Sequence, residues 1–517
     1  FDAGSRGTNL QYSVKGTNLW GAHELRYGAQ FEDIGYAGGF DISGPGFRVS
    51  DGRQTTTGAI IVVQDGSVYG LPVEKVYEAF ALLSPPLKSS TTEYLSLFAQ
   101  DSWDVTGHLN LRFGVRWEEQ RIKGDAAGSE DVTLKNNWAP RVGATYDYRR
   151  DGKSKAFLHY GRFFEKIPND LASRALAPDS AVFNLFYDAE LTRPIPGQEQ
   201  IFDAAPFEVE GLGRSTSPYK TRSQYTDEWV AGVEQEVGRG FSLGARLIYR
   251  SVGRVLEDIG LNLDRPCVPN YLGGDQCVPP AMTAEDWLTS NGGGLITNVD
   301  GHYPGSPKLE REYEALELTA QRRYADGWQL LGSYRYSRLT GNYEGLFRRD
   351  NGQSDPNFTS LADFGESPWM EYTFDRGPLP NDVAHAVKLF GSYHWELGWS
   401  AGMAFNYASG RPLTELGAIP YYGSQERLLS PRGALGRIDS ITTLDLRAAY
   451  DLRLGGSQTI VLGVDIFNVF DAQAVTSVVE NSEIDNNTFE PDPNADFLRP
   501  TAYQAPRSIR LVVKYSI

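Results

Sequence analysis

The chain alternates apolar and polar residues over most of its length. In Leu109-Asn-Leu-Arg-Phe-Gly-Val-Arg-Trp117 one set is Leu109, Leu111, Phe113, Val115 and Trp117, and the other is Asn110, Arg112, Gly114 and Arg116. A period of two puts the sets on opposite faces of a β-strand. The same pattern sets Phe241, Leu243, Ala245, Leu247 and Tyr249 against Ser242, Gly244, Arg246 and Arg250. It sets Trp328, Leu330, Gly332, Tyr334 and Tyr336 against Gln329, Ser333, Arg335 and Ser337. Leu444, Leu446, Ala448, Tyr450, Leu452 and Leu454 oppose Thr443, Asp445, Arg447, Asp451 and Arg453, and Ile509, Leu511, Val513, Tyr515 and Ile517 alternate at the C-terminal end.

Strand pattern alone fits a soluble sandwich or a membrane barrel, and connection lengths separate them. From Tyr94 onward, short turns at 106–108, 149–154, 238–240, 325–327, around Gly398 and 455–457 alternate with long segments. The long segments fall at about 122–135, 166–222, 253–309, 340–382, 410–437 and 471–500. An up-and-down barrel with tight turns at one mouth and long loops at the other gives this order. A Greek-key sandwich has no reason to keep it. The fold class expected is therefore all-β, a transmembrane antiparallel up-and-down barrel. Its strands, roughly 11–17 residues long, exceed the ~9–11 needed to cross a bilayer. Trp103, Trp328, Trp395 and Trp399, with Tyr146, Tyr148 and Tyr324, adjoin the short turns and read as the aromatic girdle of that mouth. In bacterial barrels the short-turn mouth faces the periplasm, leaving the long loops extracellular.

The last strand, about 501–517, follows a long loop and so ends at the periplasmic mouth. Counting back to Tyr94 gives about 13 strands, and residues 8–16 and 21–36 add two more around a turn at 17–20. Segments 58–64 and 67–80 read as a hairpin within a long loop. About 15 is an odd number, whereas bacterial single-chain barrels are even. Residues 1–517 are thus expected to be the C-terminal portion of a barrel. If the whole has ~22 strands, about seven strands and a preceding plug lie outside this sequence.

Composition changes the picture in two respects. With a mean hydropathy of -0.39 and no run of 18 apolar residues, a helical membrane protein is excluded, while a barrel averages its two faces. A net charge of -17 makes nucleic acid a poor partner and points to acidic outward loops. The start at Phe1-Asp-Ala-Gly4 has no apolar leader, so the sequence reads as processed or partial. Cys267 and Cys277, in a Gly/Pro-rich segment, suit a small loop disulfide in an oxidising compartment or stand as two unpaired thiols.

No catalytic constellation stands out, and an enzyme is not expected. None of the six histidines has metal-ligand spacing; His385 and His394, on opposite faces of one predicted strand, read as lumen or turn residues. Gly152-Lys153-Ser154 ends like a phosphate loop, but Asp147 stands where that motif needs glycine, so a hairpin turn explains it. Two loops, Glu483–Asp496 and Asp350–Asn357, hold oxygen ligands of the kind calcium favours; neither has the spacing of a calcium loop, and a solvated surface is the plainer reading. The predicted lumen face carries Arg112, Arg116, Arg141, Arg246, Arg250, Arg335, Arg447 and Arg453 beside Glu118, Asp147, Asp445, Asp451 and Asp465. These are expected to form a ladder of interior ion pairs. The candidate plug-docking or substrate-lining set within it is Arg112, Arg116, Arg141, Arg246, Arg335, Asp445, Arg447 and Asp465.

Tyr94-Leu-Ser-Leu-Phe-Ala-Gln-Asp-Ser-Trp103 and Asn137-Trp-Ala-Pro-Arg-Val-Gly-Ala-Thr-Tyr146 resemble strands of TonB-dependent receptors. Asn381-Asp-Val-Ala-His385, Tyr407-Ala-Ser-Gly-Arg-Pro412, Leu444-Asp-Leu-Arg447 and Asp465-Ile-Phe-Asn-Val-Phe470 resemble the Oar-like branch. The resemblance runs from about residue 8 to the end. It implies an N-terminal plug, energy from the TonB–ExbB–ExbD complex reached through that plug, and uptake of a large or scarce solute such as a peptide, an oligosaccharide or a metal chelate. Outer-membrane lipid and lipopolysaccharide would surround such a barrel. The C-terminal Ile517 departs from the aromatic residue usual in the family. Two other functions fit the same architecture: a surface adhesin or assembly partner, binding another protein through loops 166–222 and 253–309, and a passive porin.

Overall fold

The computed structural model describes residues 5–38, 45–55, 59–83, 88–124, 131–169, 179–204, 208–209, 220–238, 240–260, 268–269, 277–278, 294–298, 308–345, 348, 376–419, 423–455, 458–484 and 491–516. Fifteen strands pair in chain order as one antiparallel meander. They are β1 (Arg6–Trp20), β2 (His23–Gly38), β3 (Lys88–Thr106), β4 (Leu109–Gly124), β5 (Val132–Tyr146), β6 (Ser154–Phe164), β7 (Tyr225–Gly238), β8 (Phe241–Arg254), β9 (Arg311–Ala325), β10 (Trp328–Gly341), β11 (His385–His394), β12 (Trp399–Ala408), β13 (Ile441–Gly455), β14 (Gln458–Phe467) and β15 (Ser508–Ser516). A two-residue strand, Gly377–Pro378, adds to the top of β10. Short and long connections alternate as the sequence predicts, with one exception: the connection expected to be long at about 122–135 spans only 125–131, no longer than the 147–153 turn, because pairing extends to Gly124 and resumes at Val132.

Three boundaries differ from expectation. The first hairpin turns at Gly21-Ala22, not 17–20, because pairing persists to Trp20↔His23 and Gly21 supplies a positive φ of 59°. The last strand starts at Ser508, because Pro500–Tyr503 pairs instead with Val475–Val478 inside the long loop. The loop hairpin is Ile60–Asp65 with Lys75–Leu82. It joins Asp179–Phe186 and Gln200–Ala204, from a different loop, in a four-stranded sheet. Phe47, Val49, Ala79, Ala81, Val182 and Phe186 give that sheet its own buried core above the meander.

The apolar set of each strand faces outward. Leu247, Leu318 and Leu243 are about half exposed in the middle of β8 and β9, where a soluble fold would bury them. Two aromatic belts bound this band. The lower belt adjoins the short turns: Trp399 meets Tyr450 at 4.9 Å, Tyr393 meets Trp395 at 4.6 Å, and Phe241 meets Trp328 at 5.7 Å. Sequence reading missed the upper belt. There Trp117 opposes Trp138, and Tyr160, Trp229 and Tyr249 line up across β6, β7 and β8. From Phe241 to Tyr249 the strand rises about 26 Å, or about 20 Å of height at a tilt near 40°. That approaches the ~25 Å of an outer-membrane apolar band. His385 belongs to this upper belt and not to the lumen. It lies on the outer face against Tyr334 and Tyr336, and its Nδ1 is 3.0 Å from the Tyr334 hydroxyl.

The two edges, β1 and β15, remain unpaired among the described residues. Both run from the long-loop mouth to the short-turn mouth, so a direct pair between them would be parallel.

The short turns are tightly capped. The Asp147 carboxylate, expected on the lumen face, instead closes the 147–153 turn. It accepts from the Ser154 hydroxyl at 2.5 Å and from the Gly152 and Arg150 N–H groups at 2.7 and 3.1 Å. The Ser154 bond, then the backbone bonds, hold its pKa below the usual 3.8. Folding lowers that pKa, so the contribution to stability is complete above pH 3.8 and lost as pH falls through the folded-state value. The stability difference between wild type and Asp147→Asn, followed by denaturant titration, is expected to shrink on acidification below pH 3.8; a constant difference would contradict it.

The faces make a second prediction. Leu247→Arg, at mid-band on the outer face, is expected to cost about 2–4 kcal/mol when refolding into lipid is titrated with denaturant. Ser242→Arg, on the inner face of the same strand, is expected to be near neutral. Equal costs would reverse the assignment of faces.

Candidate functional site

All eight candidate residues lie on the inner face, because each falls on the parity opposite to most exposed apolar residues of its strand; Leu331 on β10 and Ile441 on β13 are exposed apolar residues that share the inner parity. They form several separate groups. Arg116 pairs with Glu118, and its Nη2 donates to Ser96 Oγ at 2.7 Å. Arg112 and Arg141 line one pocket of about 380 Å³ with Arg26 and His159. Arg112 donates to Asn110 at 3.1 Å, and the Arg141 guanidinium sits 5.0 Å from the Phe163 ring. Arg246 pairs with Glu317 across β8 and β9, as Arg250 pairs with Glu228 across β8 and β7. Asp465, 4 % exposed, is held between Arg447 at 3.1 Å and Arg510 at 2.7 Å. Asp445 lies on the same strand as Arg447 but accepts from the Asn468 N–H at 2.8 Å.

Arg335 stands in the least balanced place. It lines a cavity of about 590 Å³ beneath the long-loop mouth with Arg250, Arg311, Tyr313, Tyr343 and Glu165. Arg311 gives one N–H to the Glu344 carbonyl at 2.8 Å, and the buried Nε of Arg335 has no hydrogen-bond partner among the described residues. A buried donor without a partner costs about 1–3 kcal/mol, which an anionic or carbonyl-bearing ligand would recover. The alternation along β9 points to Arg311 and Tyr313, and that along β14 and β15 to Asp465 and Arg510. Tyr343 and Glu344 carry no such signal, because they sit in irregular chain beyond the end of β10.

The resembling motifs prove to be pins between strand tops and loops. Gly410 allows a crossing so close that a Cβ there would lie 1.7 Å from the Ile438 carbonyl oxygen. The neighbouring Arg411 forms a buried pair with Glu480, and Arg432 forms another with Glu344. Asp382 accepts from the Leu339 N–H at 2.6 Å and pairs with Arg437. Asn468, at φ 50°, donates to the carbonyls of Ala472 and Ala505 at 3.0 and 2.8 Å.

Among the described residues no group of three His, Cys, Asp or Glu could hold a metal ion. Of the two acidic loops, 350–357 and 485–490 lie outside the described residues. The Glu483 carboxylate accepts from the Ala418 N–H at 3.0 Å. Cys267 also lies outside them, and only the backbone of Cys277 is described.

Residues 2–129 and 123–416 match a family model described as an outer membrane beta barrel domain. The chain is 26% identical over 561 residues to the TonB-dependent transporter Oar of Myxococcus xanthus, covering 96% of this chain and 50% of that protein. The ferripyoverdine receptor of the outer membrane of Pseudomonas aeruginosa superposes with a TM-score of 0.52 at 14% identity, over 98% of this chain and 47% of that one. The siderophore receptor PiuA of Acinetobacter baumannii gives 0.51 at 13%, over 98% and 55%. At these identities the structural likeness speaks to fold alone. The chain spans about half the length of these relatives.

The Asp465 group yields a prediction. Asp465→Ala is expected to destabilise by about 2–3 kcal/mol, because two arginines lose their shared charge-assisted partner. Asp465→Asn, which keeps the shape, should cost less. Thermal unfolding of the folded protein checks both, and an unchanged midpoint for the alanine variant would contradict the pairing.

Proposed function

The chain belongs to the outer membrane beta barrel domain family and is an integral outer-membrane protein, and from that premise we propose that it forms the C-terminal part of a TonB-dependent transporter. The observation that carries this reading is the arginine-rich cavity under the long-loop mouth, on the inner face of a meander whose sequence is 26% identical to Oar over 96% of this chain and 50% of Oar. Long loops face outward, where solute is captured, and C-terminal β15 ends at the periplasmic mouth. Arg311 and Arg335, with Tyr313 and Tyr343, suit a solute bearing carboxylate, phosphate or chelating oxygens beside a flat or apolar part. Metal chelates and acidic peptides both have that chemistry.

The barrel is completed by an odd number of further strands, about seven for a total of ~22. Two facts support this. Unpaired edges are not tolerated in hydrocarbon, and β1 and β15 run the same way. A plug within the completed lumen would bear on the inner-face arginines and carry the link to the TonB–ExbB–ExbD complex.

The test uses the full-length protein in cells. Accumulation of its solute should stop when TonB is deleted or the proton gradient is dissipated. Arg311→Ala with Arg335→Ala should weaken solute binding roughly tenfold or more while folding is kept. A large steady conductance of the purified protein in planar bilayers would instead identify a passive porin.

The four-stranded loop sheet, with its own core, favours a second activity in surface attachment. Removing residues 60–82 should then abolish partner binding and spare uptake; loss of uptake alone would exclude attachment.

A further inference from the structure

The four-stranded loop sheet ends on one side at an edge that nothing blunts. Its outermost strand, Ile60-Ile-Val-Val-Gln-Asp65, pairs with Lys75–Leu82 in unbroken antiparallel register. It contains no proline, no lysine and no bulge, the devices that commonly close an edge in water. Val62 is 43 % and Val63 55 % exposed, one on each face of the strand. Ile61, on the Val63 face, packs against the core that holds Phe47, Val49 and Phe186.

Register decides which backbone groups the edge presents. The Gly66 N–H donates to the Glu74 carbonyl at 3.3 Å, and these two residues continue the ladder beyond Asp65↔Lys75. In an antiparallel pair, residues that exchange hydrogen bonds alternate with residues that do not. Gln64, Val62 and Ile60 therefore spend their peptide groups on Val76, Glu78 and Phe80. The far side of the sheet keeps the same phase. There the Leu185 carbonyl accepts from the Ile195 N–H at 2.7 Å and so turns away from Lys75–Leu82. The N–H and C=O groups of Ile61, Val63 and Asp65 point to the open side, where among the described residues no strand meets them. An extended polypeptide lying antiparallel to the edge would satisfy them.

Side chains and charge identify that polypeptide. Its residues opposite Ile61 and Val63 would share their face and lengthen the core. Those opposite Val62 and Gln64 would lie beside Glu78. The four strands carry Asp65, Glu78, Asp179 and Asp203 against Lys75 alone, and the whole chain has a net charge of -17. A second copy of this edge would meet like charge, whereas a cationic partner meets opposite charge. The partner that fits is apolar at alternate positions and basic between them. That sets it apart from the acidic solute suited to the Arg335 cavity.

Deepening the surface-attachment reading above, on which it rests, we propose that the Ile60–Asp65 edge captures an extended cationic polypeptide segment by antiparallel strand addition. The probe is a short fluorescein-labelled peptide alternating valine and lysine, titrated against the full-length protein in nanodiscs and followed by anisotropy. Valines opposite Ile61 and Val63 would bond the edge through their own N–H groups. N-methylation of the valines is expected to weaken binding about tenfold or more, and N-methylation of the lysines to leave most of it. Val63→Pro removes an edge-facing N–H that the sheet itself does not use, and should weaken the unmodified peptide by a similar factor. The methylated peptides act on unaltered protein, so they carry the test if that variant folds poorly. Equal binding by both methylated peptides would overturn the proposal. So would a valine–glutamate peptide that binds as tightly, or a dimer of the protein that excess peptide does not dissolve. Partner binding that is lost on removal of residues 60–82 but kept in Val63→Pro would sink the edge alone. Partner binding unchanged by the removal would sink the attachment reading itself.

Discussion

Inside a bilayer no water satisfies a peptide group, so every N–H and C=O within the hydrocarbon must find its partner in protein. The described structure is one answer to that constraint: fifteen strands in chain order, each bonded to its neighbours. The constraint also explains why the two edge strands matter more here than edges do in water. Among the described residues β1 presents Arg6–Trp20, fifteen residues of ladder unpaired on one side, and β15 presents nine. In a soluble sheet, charge or a bulge would blunt such edges. Here they carry Leu10, Tyr12, Val14, Leu511 and Val513 on the lipid side, which suits continuation of the same sheet.

The ladder leaves side chains free to be sorted by solvent. Outward residues meet acyl chains, so leucines and tyrosines that look misplaced by the standards of a soluble protein are in their favourable medium. Inward residues meet water or another polypeptide, and the arginines there are nearly all engaged. Arg246 with Glu317, Arg250 with Glu228, and Asp465 between Arg447 and Arg510 tie adjacent strands across the inner surface. The half-exposed Arg246–Glu317 and Arg250–Glu228 pairs contribute little to stability singly, whereas the carboxylate of Asp465 is buried. They leave the wall polar and wettable, and the Arg335 cavity is where that pairing is incomplete.

The loops are held by a different rule. Above the strands, water is again present, but the ion pairs are buried: Arg411 with Glu480, and Arg432 with Glu344. Breaking one partner of a buried pair leaves an uncompensated charge, so these contacts specify where a loop lies even if they add little net stability. The motifs that resemble the Oar-like branch sit at these crossings, at Asp382, Gly410, Arg411 and Asn468. Their spacing in sequence reflects backbone approach and loop anchoring, not chemistry performed on a solute.

Periodicity made the fold legible before any coordinates. Alternation in 241–249 or 444–454 has one simple explanation, and the count of fifteen strands follows from where turns interrupt it. The inner-face arginines were legible for the same reason, since parity along a strand decides the face. Partners were not, because register, not composition, decides that Arg246 meets Glu317 and that Asp445 is spent on the Asn468 backbone. The upper belt, with His385 in it, appears only when Tyr160, Trp229 and Tyr249 are set side by side, though they lie far apart in the chain. The sequence alone thus determined strand and face, because these depend on local alternation, and pointed to the membrane through the order of short turns and long segments. Tertiary structure decided which polar groups lack a partner among the described residues, such as the buried Nε of Arg335, because that depends on neighbours brought in from distant strands and loops.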